Sequence, residues 1–353
     1  MSQLINLTAH QAAPLVNTGI DGHYQVTAIV KATYRWDERG RCTPIEPQPV
    51  LMADEYAGQP GLSGLLRASD LSPPKVKVDV LLAGAIAFPK PITEVDVELS
   101  LGTRLCRRAR VFGDRVWLPA VTADLAPSQP RAVTRVPIAW ERSFGGSDPN
   151  DPKCVEPRNP VGSGVTEDPK TLEVKPAPNF EDPGNLLPAR MSRPTPVGFG
   201  PIAPHWQQRS SLAGTYDESW QNHRRPLPPD DFSPEYFNVA PGDQQVDEYE
   251  PGEELRLFNL TTALRERICL PVLQVPVTFV ATDEVSDEVA AVDTVIVEPE
   301  ERRLSLVARA RTELAEGPMS LGRIIIGELT AGMRKAIENG KEYPWDRTRP
   351  ARP

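Results

Sequence analysis

Residues 24 to 36 alternate. Tyr24, Val26, Ala28, Val30, Ala32, Tyr34 and Trp36 share one face, and Gln25, Thr27, Lys31, Thr33 and Arg35 share the other, with Ile29 the one apolar exception. A period of two predicts a strand with one face buried. Asp37-Glu38-Arg39-Gly40 then reads as a hairpin turn, leading to a short return strand with Cys42 and Ile45. After Pro73-Pro74, Val76, Val78, Val80 and Leu82 alternate with Lys75, Lys77, Asp79 and Leu81, and Val95, Val97, Leu99 and Leu101 alternate with Glu94, Asp96, Glu98 and Ser100. Leu105 to Phe112 and Val116-Trp117-Leu118 flank Gly113-Asp114-Arg115, which predicts another hairpin, and Val133 to Trp140 predicts the last strand of this block.

Strands return near the C-terminus. Leu255, Leu257 and Val272 to Ala281 read as β, and Asp293 to Glu298 and Arg303 to Arg309 flank Pro299-Glu300-Glu301-Arg302 as a hairpin. Ile324, Ile325, Leu329, Met333 and Ile337 fall near helical spacing, with Gly340 as a stop.

Between these blocks regular periodicity disappears. Proline and glycine pairs mark turn after turn, yet Trp, Tyr and Phe recur. Disordered linkers are poor in aromatics, so this stretch predicts an ordered layer. Ordering about a hundred residues costs on the order of 100 kcal/mol of backbone entropy. Proline lowers that cost by restricting the unfolded chain, and each large buried side chain returns roughly 1.5–3 kcal/mol. The 39 prolines also argue against an all-α chain. The reading is a mainly β protein: an antiparallel β-sandwich or open-barrel core, a long ordered proline- and aromatic-rich loop layer, and a short C-terminal helix. It divides into an N-terminal antiparallel β region over 1–143, the layer over 144–252, C-terminal hairpins plus helix over 253–340 packed with the first region as one domain, and an Arg/Pro-rich tail over 341–353.

The formal charge of −9 disfavours a phosphate-neutralising surface for nucleic acid and attraction to anionic membranes. No window approaches the ~18 apolar residues of a membrane span, and the first residues lack the basic and apolar regions of a secretory signal. Cys42, Cys106, Cys154 and Cys269 are scattered, without metal or redox spacing. A reduced, cytoplasmic protein is expected.

Chemistry-bearing motifs are scarce. The chain has no phosphate loop and no G-x-S-x-G elbow, and His10, His23, His205 and His223 form no H-E-x-x-H or H-x-H arrangement. Gly162-Ser163-Gly164 reads as a turn, and Asp148, Asn150 and Asp151 as an Asx/Pro turn rather than a calcium loop. Asp230-Asp231 reads as a turn or a cap. In Gly214-Thr215-Tyr216-Asp217-Glu218-Ser219-Trp220, Thr215 is positioned to cap a helix with Glu218 at capping-box spacing. Tyr216 and Trp220 then share one face, as staples or as interface anchors. The candidate residues are Phe199, Trp206, Tyr216, Asp217, Trp220, Phe232, Tyr236 and Phe237, with no catalytic, cofactor or metal assignment. Two other readings compete: an enzyme with a loop-built site from His205, Arg209, Asp217 and His223, and a carbohydrate- or peptidoglycan-binding module stacking sugars on Trp206 and Trp220.

An ordered series of motifs resembles the bacterial family called domain of unknown function 2169. It comprises Trp140-Glu141-Arg142-Ser143-Phe144-Gly145-Gly146, Arg158-Asn159-Pro160-Val161-Gly162-Ser163-Gly164, Leu187-Pro188, the run from Pro196 to Trp206, Arg209, Gly214-Thr215-Tyr216-Asp217, Trp220, Pro228, Asp231-Phe232, Tyr236-Phe237, Ala240-Pro241 and Gln244-Gln245. The likeness extends to Lys31-Ala32-Thr33-Tyr34 and to the hairpin ending at Arg309. It implies a cytoplasmic, non-enzymatic adaptor or chaperone that binds a type VI secretion effector and helps load it onto the VgrG spike or its PAAR tip. No cofactor, nucleic-acid or membrane partner is expected, and the resemblance carries over no catalytic residue. The loop from Val165 to Pro178 and the C-terminal tail depart from the family pattern.

Overall fold

In the computed structural model, residues 3–121, 123–282, 284–341 and 343 are described; most of the tail over 341–353 lies outside them. The principal strands are β1 (Gln3–Asn6), β2 (Gln11–Thr18), β3 (Tyr24–Trp36), β4 (Val78–Leu82), β5 (Ala85–Ile92), β6 (Glu94–Leu101), β7 (Leu105–Phe112), β8 (Val133–Pro137), β9 (Glu254–Phe258), β10 (Arg265–Cys269), β11 (Val275–Ala281), β12 (Val285–Glu298), β13 (Arg303–Leu314) and β14 (Leu321–Ile326). The larger sheet runs β1-β14-β11-β12-β13-β3-β2. Its end members β1 and β2 are consecutive in the chain, so the sheet nearly closes into a barrel. A second antiparallel sheet, Phe180–Glu181, β7, β6, β9 and β10, packs on it. The fold is mainly β, as its sequence predicts.

The alternation of β3 has its expected consequence on one face. Val26, Ala28, Val30, Ala32, Tyr34 and Trp36 enter one apolar cluster with Leu304, Leu306 and Ala308 of β13 and with Val97, Leu99, Ala109, Val111, Leu255 and Ile268 of the second sheet. The opposite face is covered too, except at Arg35. Thr27, Ile29, Lys31 and Thr33 are buried as well, because residues 45–77 cross over them. Ile45 N donates to Thr33 O at 3.0 Å and Gln48 N to Thr33 Oγ1 at 2.9 Å. Ile29, the apolar exception in the pattern, marks this cover.

Beneath the cover lies a charged layer. Lys31 pairs with Asp70 at 2.7 Å, Lys75 with Asp79 at 2.7 Å, Arg309 with Asp293, and Arg67 and Arg303 with Glu298. Asp79 is fully buried and also accepts from Asn238 Nδ2 at 3.1 Å, Val239 N at 2.9 Å and Ala240 N at 3.2 Å. A buried carboxylate persists only when its lone pairs are satisfied in this way. Val78 to Leu82 are accordingly buried on both faces, where sequence alternation predicts a polar side.

Three local expectations are corrected. Gly113-Asp114-Arg115 is not a hairpin: β7 pairs with β6, and Arg115–Ala120 pairs with Ala123–Pro127 and Pro176–Ala177 in another sheet. Gly113 makes that switch because a side chain there would meet Arg131 O at 1.9 Å. Val133–Pro137 pairs with β5 but stops before Trp140, which starts a 3₁₀ turn. Ile324 and Ile325 lie in β14, so the C-terminal helix spans only Ala331–Glu338, capped by Thr330 and followed by Gly340 at φ +61. Among the described residues no helix is long and apolar enough to cross a membrane. All four cysteines are unpaired.

Candidate functional site

The aromatic layer consists of two differently built halves. The first, from Trp140 to Arg209, is pinned to the β core. Trp140 is 3% exposed, and its Nε1 donates to Pro201 O at 2.9 Å. Gly198 lies flat on its indole, where a Cβ would come within 2.9 Å of the ring. Trp206, 1% exposed, meets Trp140 edge-on, with centroids 5.5 Å apart. Ser143 Oγ donates to Val197 O at 2.5 Å and accepts from Val197 N at 3.0 Å. Phe199 is buried against Phe180, and its carbonyl accepts from Leu82 N at 3.1 Å and Gln244 Nε2 at 3.0 Å. Asn159 Nδ2 closes the arrangement by donating to Trp140 O and Phe144 O, both at 2.9 Å.

The second half, from Leu212 to Phe237, is anchored by its backbone while its rings stay near the surface. Gly214, at φ +81, turns the chain so tightly that a Cβ would sit 2.7 Å from Asp231 Oδ1. Asp231 accepts from Thr215 N at 2.8 Å and Thr215 Oγ1 at 2.7 Å. These bonds, the backbone one foremost, hold its carboxyl below the usual carboxylate range. Asp217, not Thr215, caps the helix Glu218–His223 by accepting from Trp220 N at 2.8 Å. Thr215 is committed to Asp231, which therefore serves as an acceptor across the loop and not as a helix cap. Tyr216, 54% exposed, lies 4.7 Å from Trp220, ring centroid to ring centroid. Trp220 is half-buried, and its Nε1 donates to Leu227 O at 2.8 Å. Phe232, Tyr236 and Phe237 form a triangle with centroids 5.7–5.8 Å apart, each ring half-buried.

Arg209 joins the two halves. It is 9% exposed, donates to Tyr236 O at 3.1 Å and Ile202 O at 2.9 Å, and stacks on the Tyr236 ring at 4.9 Å. Burial lowers its pKa. Of the other residues in the enzymatic alternative, exposed His205 abuts the edge of Trp206, Asp217 caps its helix, and exposed His223 contacts Ser219 O. Among the described residues no hydrogen bond or ion pair joins any two of these four, and no group of three or more His, Cys, Asp or Glu is arranged for a metal. Trp206 is too buried to serve as an exposed sugar platform. Asp148 accepts from Asn150 N at 2.8 Å, Thr166 Oγ1 at 3.0 Å and Glu167 N at 3.0 Å, an Asx turn locked in place by its neighbours.

The candidate residues thus separate into buried Phe199 and Trp206, exposed Tyr216 and Asp217, and half-buried Trp220, Phe232, Tyr236 and Phe237. Sequence reasoning passed over the N-terminal contribution to this region. Arg224 Nη2 donates to Ile20 O at 2.5 Å, which ties the turn after β2 to the second half of the layer. Residues 17–21, Gln25, and Arg311 and Glu313 of β13 line a groove of about 420 Å³ with Arg224, Phe232 and Phe237. Their separation along the chain leaves no local signal of this assembly.

Residues 21–309 match the family model described as "Uncharacterized protein conserved in bacteria (DUF2169)". No curated protein matches the chain, and no solved structure matches it.

Proposed function

The chain belongs to the bacterial DUF2169 family, and on that premise we propose that it is a non-enzymatic adaptor. It binds a type VI secretion effector in the cytoplasm and promotes its loading onto the VgrG spike or PAAR tip. The observation carrying this reading is the partly exposed aromatic surface of residues 212–237 on a rigid frame. Tyr and Trp are favoured interface anchors because each offers a large apolar area at a small entropic cost. Here the backbone beneath them is already fixed by the Asp231–Thr215 bonds, the Asp217 cap and Arg209. Preorganisation of this kind lowers the cost of binding. Binding is the whole of the proposed work, so it asks for no catalytic group.

Deleting the gene should abolish secretion of the effector encoded beside it while leaving the spike assembled, and the purified chain should form a complex with that effector. Undiminished effector secretion from the deletion strain would refute the adaptor role.

A further inference from the structure

Taking the partner to be the effector of the adaptor reading, we propose that the groove between residues 17–25 and 224–237 receives a basic peptide segment of that effector, anchored by an apolar or aromatic side chain. The groove is lined in part by apolar side chains, Ile20, Phe232 and Phe237 among them. Its volume, about 420 Å³, is in the range that encloses a few side chains. Exposed apolar ground rimmed by polar groups is the usual form of a recognition site.

Charge and hydrogen bonding fix the chemistry of the occupant. The segment 214–237 carries five carboxylates, Asp217, Glu218, Asp230, Asp231 and Glu235, against Arg224 and Arg225. Arg224 is committed to Ile20 O, Pro228 O and Asp230, and Arg311, 3.4 Å from the neutral Gln25 Oε1, is the one lining cation without a carboxylate partner among the described residues. Asp21 and Glu313 line the groove and are exposed. Among the described residues Asp21 accepts only a backbone bond from His23, and no ion pair engages either carboxylate. Lys or Arg side chains are donors that complement these two carboxylates, whereas an acidic segment would meet repulsion.

The test uses the full-length chain and a phage-displayed library of random peptides. Selected peptides should be enriched in Lys and Arg flanking an apolar or aromatic residue. Fluorescence anisotropy with a selected peptide should show binding about tenfold weaker for Glu313→Lys, a smaller loss for Asp21→Asn, which keeps the turn acceptor, and no change for Glu288→Lys outside the groove. Absence of any selected peptide, peptides without basic enrichment, or binding indifferent to Glu313→Lys and Asp21→Asn would overturn the assignment. Co-purification with the effector separates this proposal from its premise. An effector that still binds the Glu313→Lys, Asp21→Asn double variant at full affinity overturns the groove alone; one that never binds the unmodified chain overturns the adaptor reading.

Discussion

The two halves of the aromatic layer use the same residue types for opposite purposes. Around Trp140 and Trp206 the rings point inward, their polar neighbours bond the backbone of the layer itself, and the layer is tied to the sheet through Leu82 N and Phe199 O. Around Tyr216 and Phe237 the backbone supplies its own bonds, and the rings lie across the surface. The first half is close-packed, where removing a ring leaves a void. The second is a preformed surface, where removing a ring chiefly takes away contact area for a partner. Composition cannot separate these cases, because both halves are rich in Pro, Gly and aromatics.

Substitutions should break this contrast in order of size. Trp206→Ala should destabilise the fold by about 3–5 kcal/mol, since a fully buried ring would leave a cavity beside Trp140; urea unfolding measures it. Asp79→Ala should cost a similar amount, about 3–5 kcal/mol, because buried Lys75 would lose its counter-charge and Asn238, Val239 and Ala240 would lose their acceptor. Asp217→Ala should cost only about 1 kcal/mol, the value of a helix cap, and should loosen Glu218–His223 selectively in amide exchange.

Acid sharpens the same contrast. The Asp231 carboxyl is depressed in the folded chain, so its stabilising effect is complete above the unfolded carboxylate value and fades as pH falls from about 4 through the folded value. The protection factor of the Thr215 amide should therefore be lower at about pH 3 than at about pH 5. Asp231→Asn should remove that dependence.

Legibility in the sequence followed locality. The inward face of β3, the Arg303 hairpin and the turn at Gly40 could be read because neighbouring residues determine them. The burial of Lys31 and Thr33 could not, since the cover comes from residues 45–77, and charged side chains ordinarily signal solvent. Gly113 resembled a hairpin glycine but serves a close approach to Arg131. The cap moved from Thr215 to Asp217 because Asp231, sixteen residues further on, takes the Thr215 hydroxyl. For the candidate site, the sequence identified the aromatic residues but not their orientation, which depends on whether a core strand lies beneath each one.

The most direct test of the division between staples and surface is Tyr216→Ala, read simultaneously by unfolding and by titration with the neighbouring effector. Unfolding stability should stay within about 0.5 kcal/mol, while the effector should bind at least about tenfold more weakly, a loss of about 1.4 kcal/mol. Unchanged affinity, or a loss of stability as large as that of Trp206→Ala, would contradict the account.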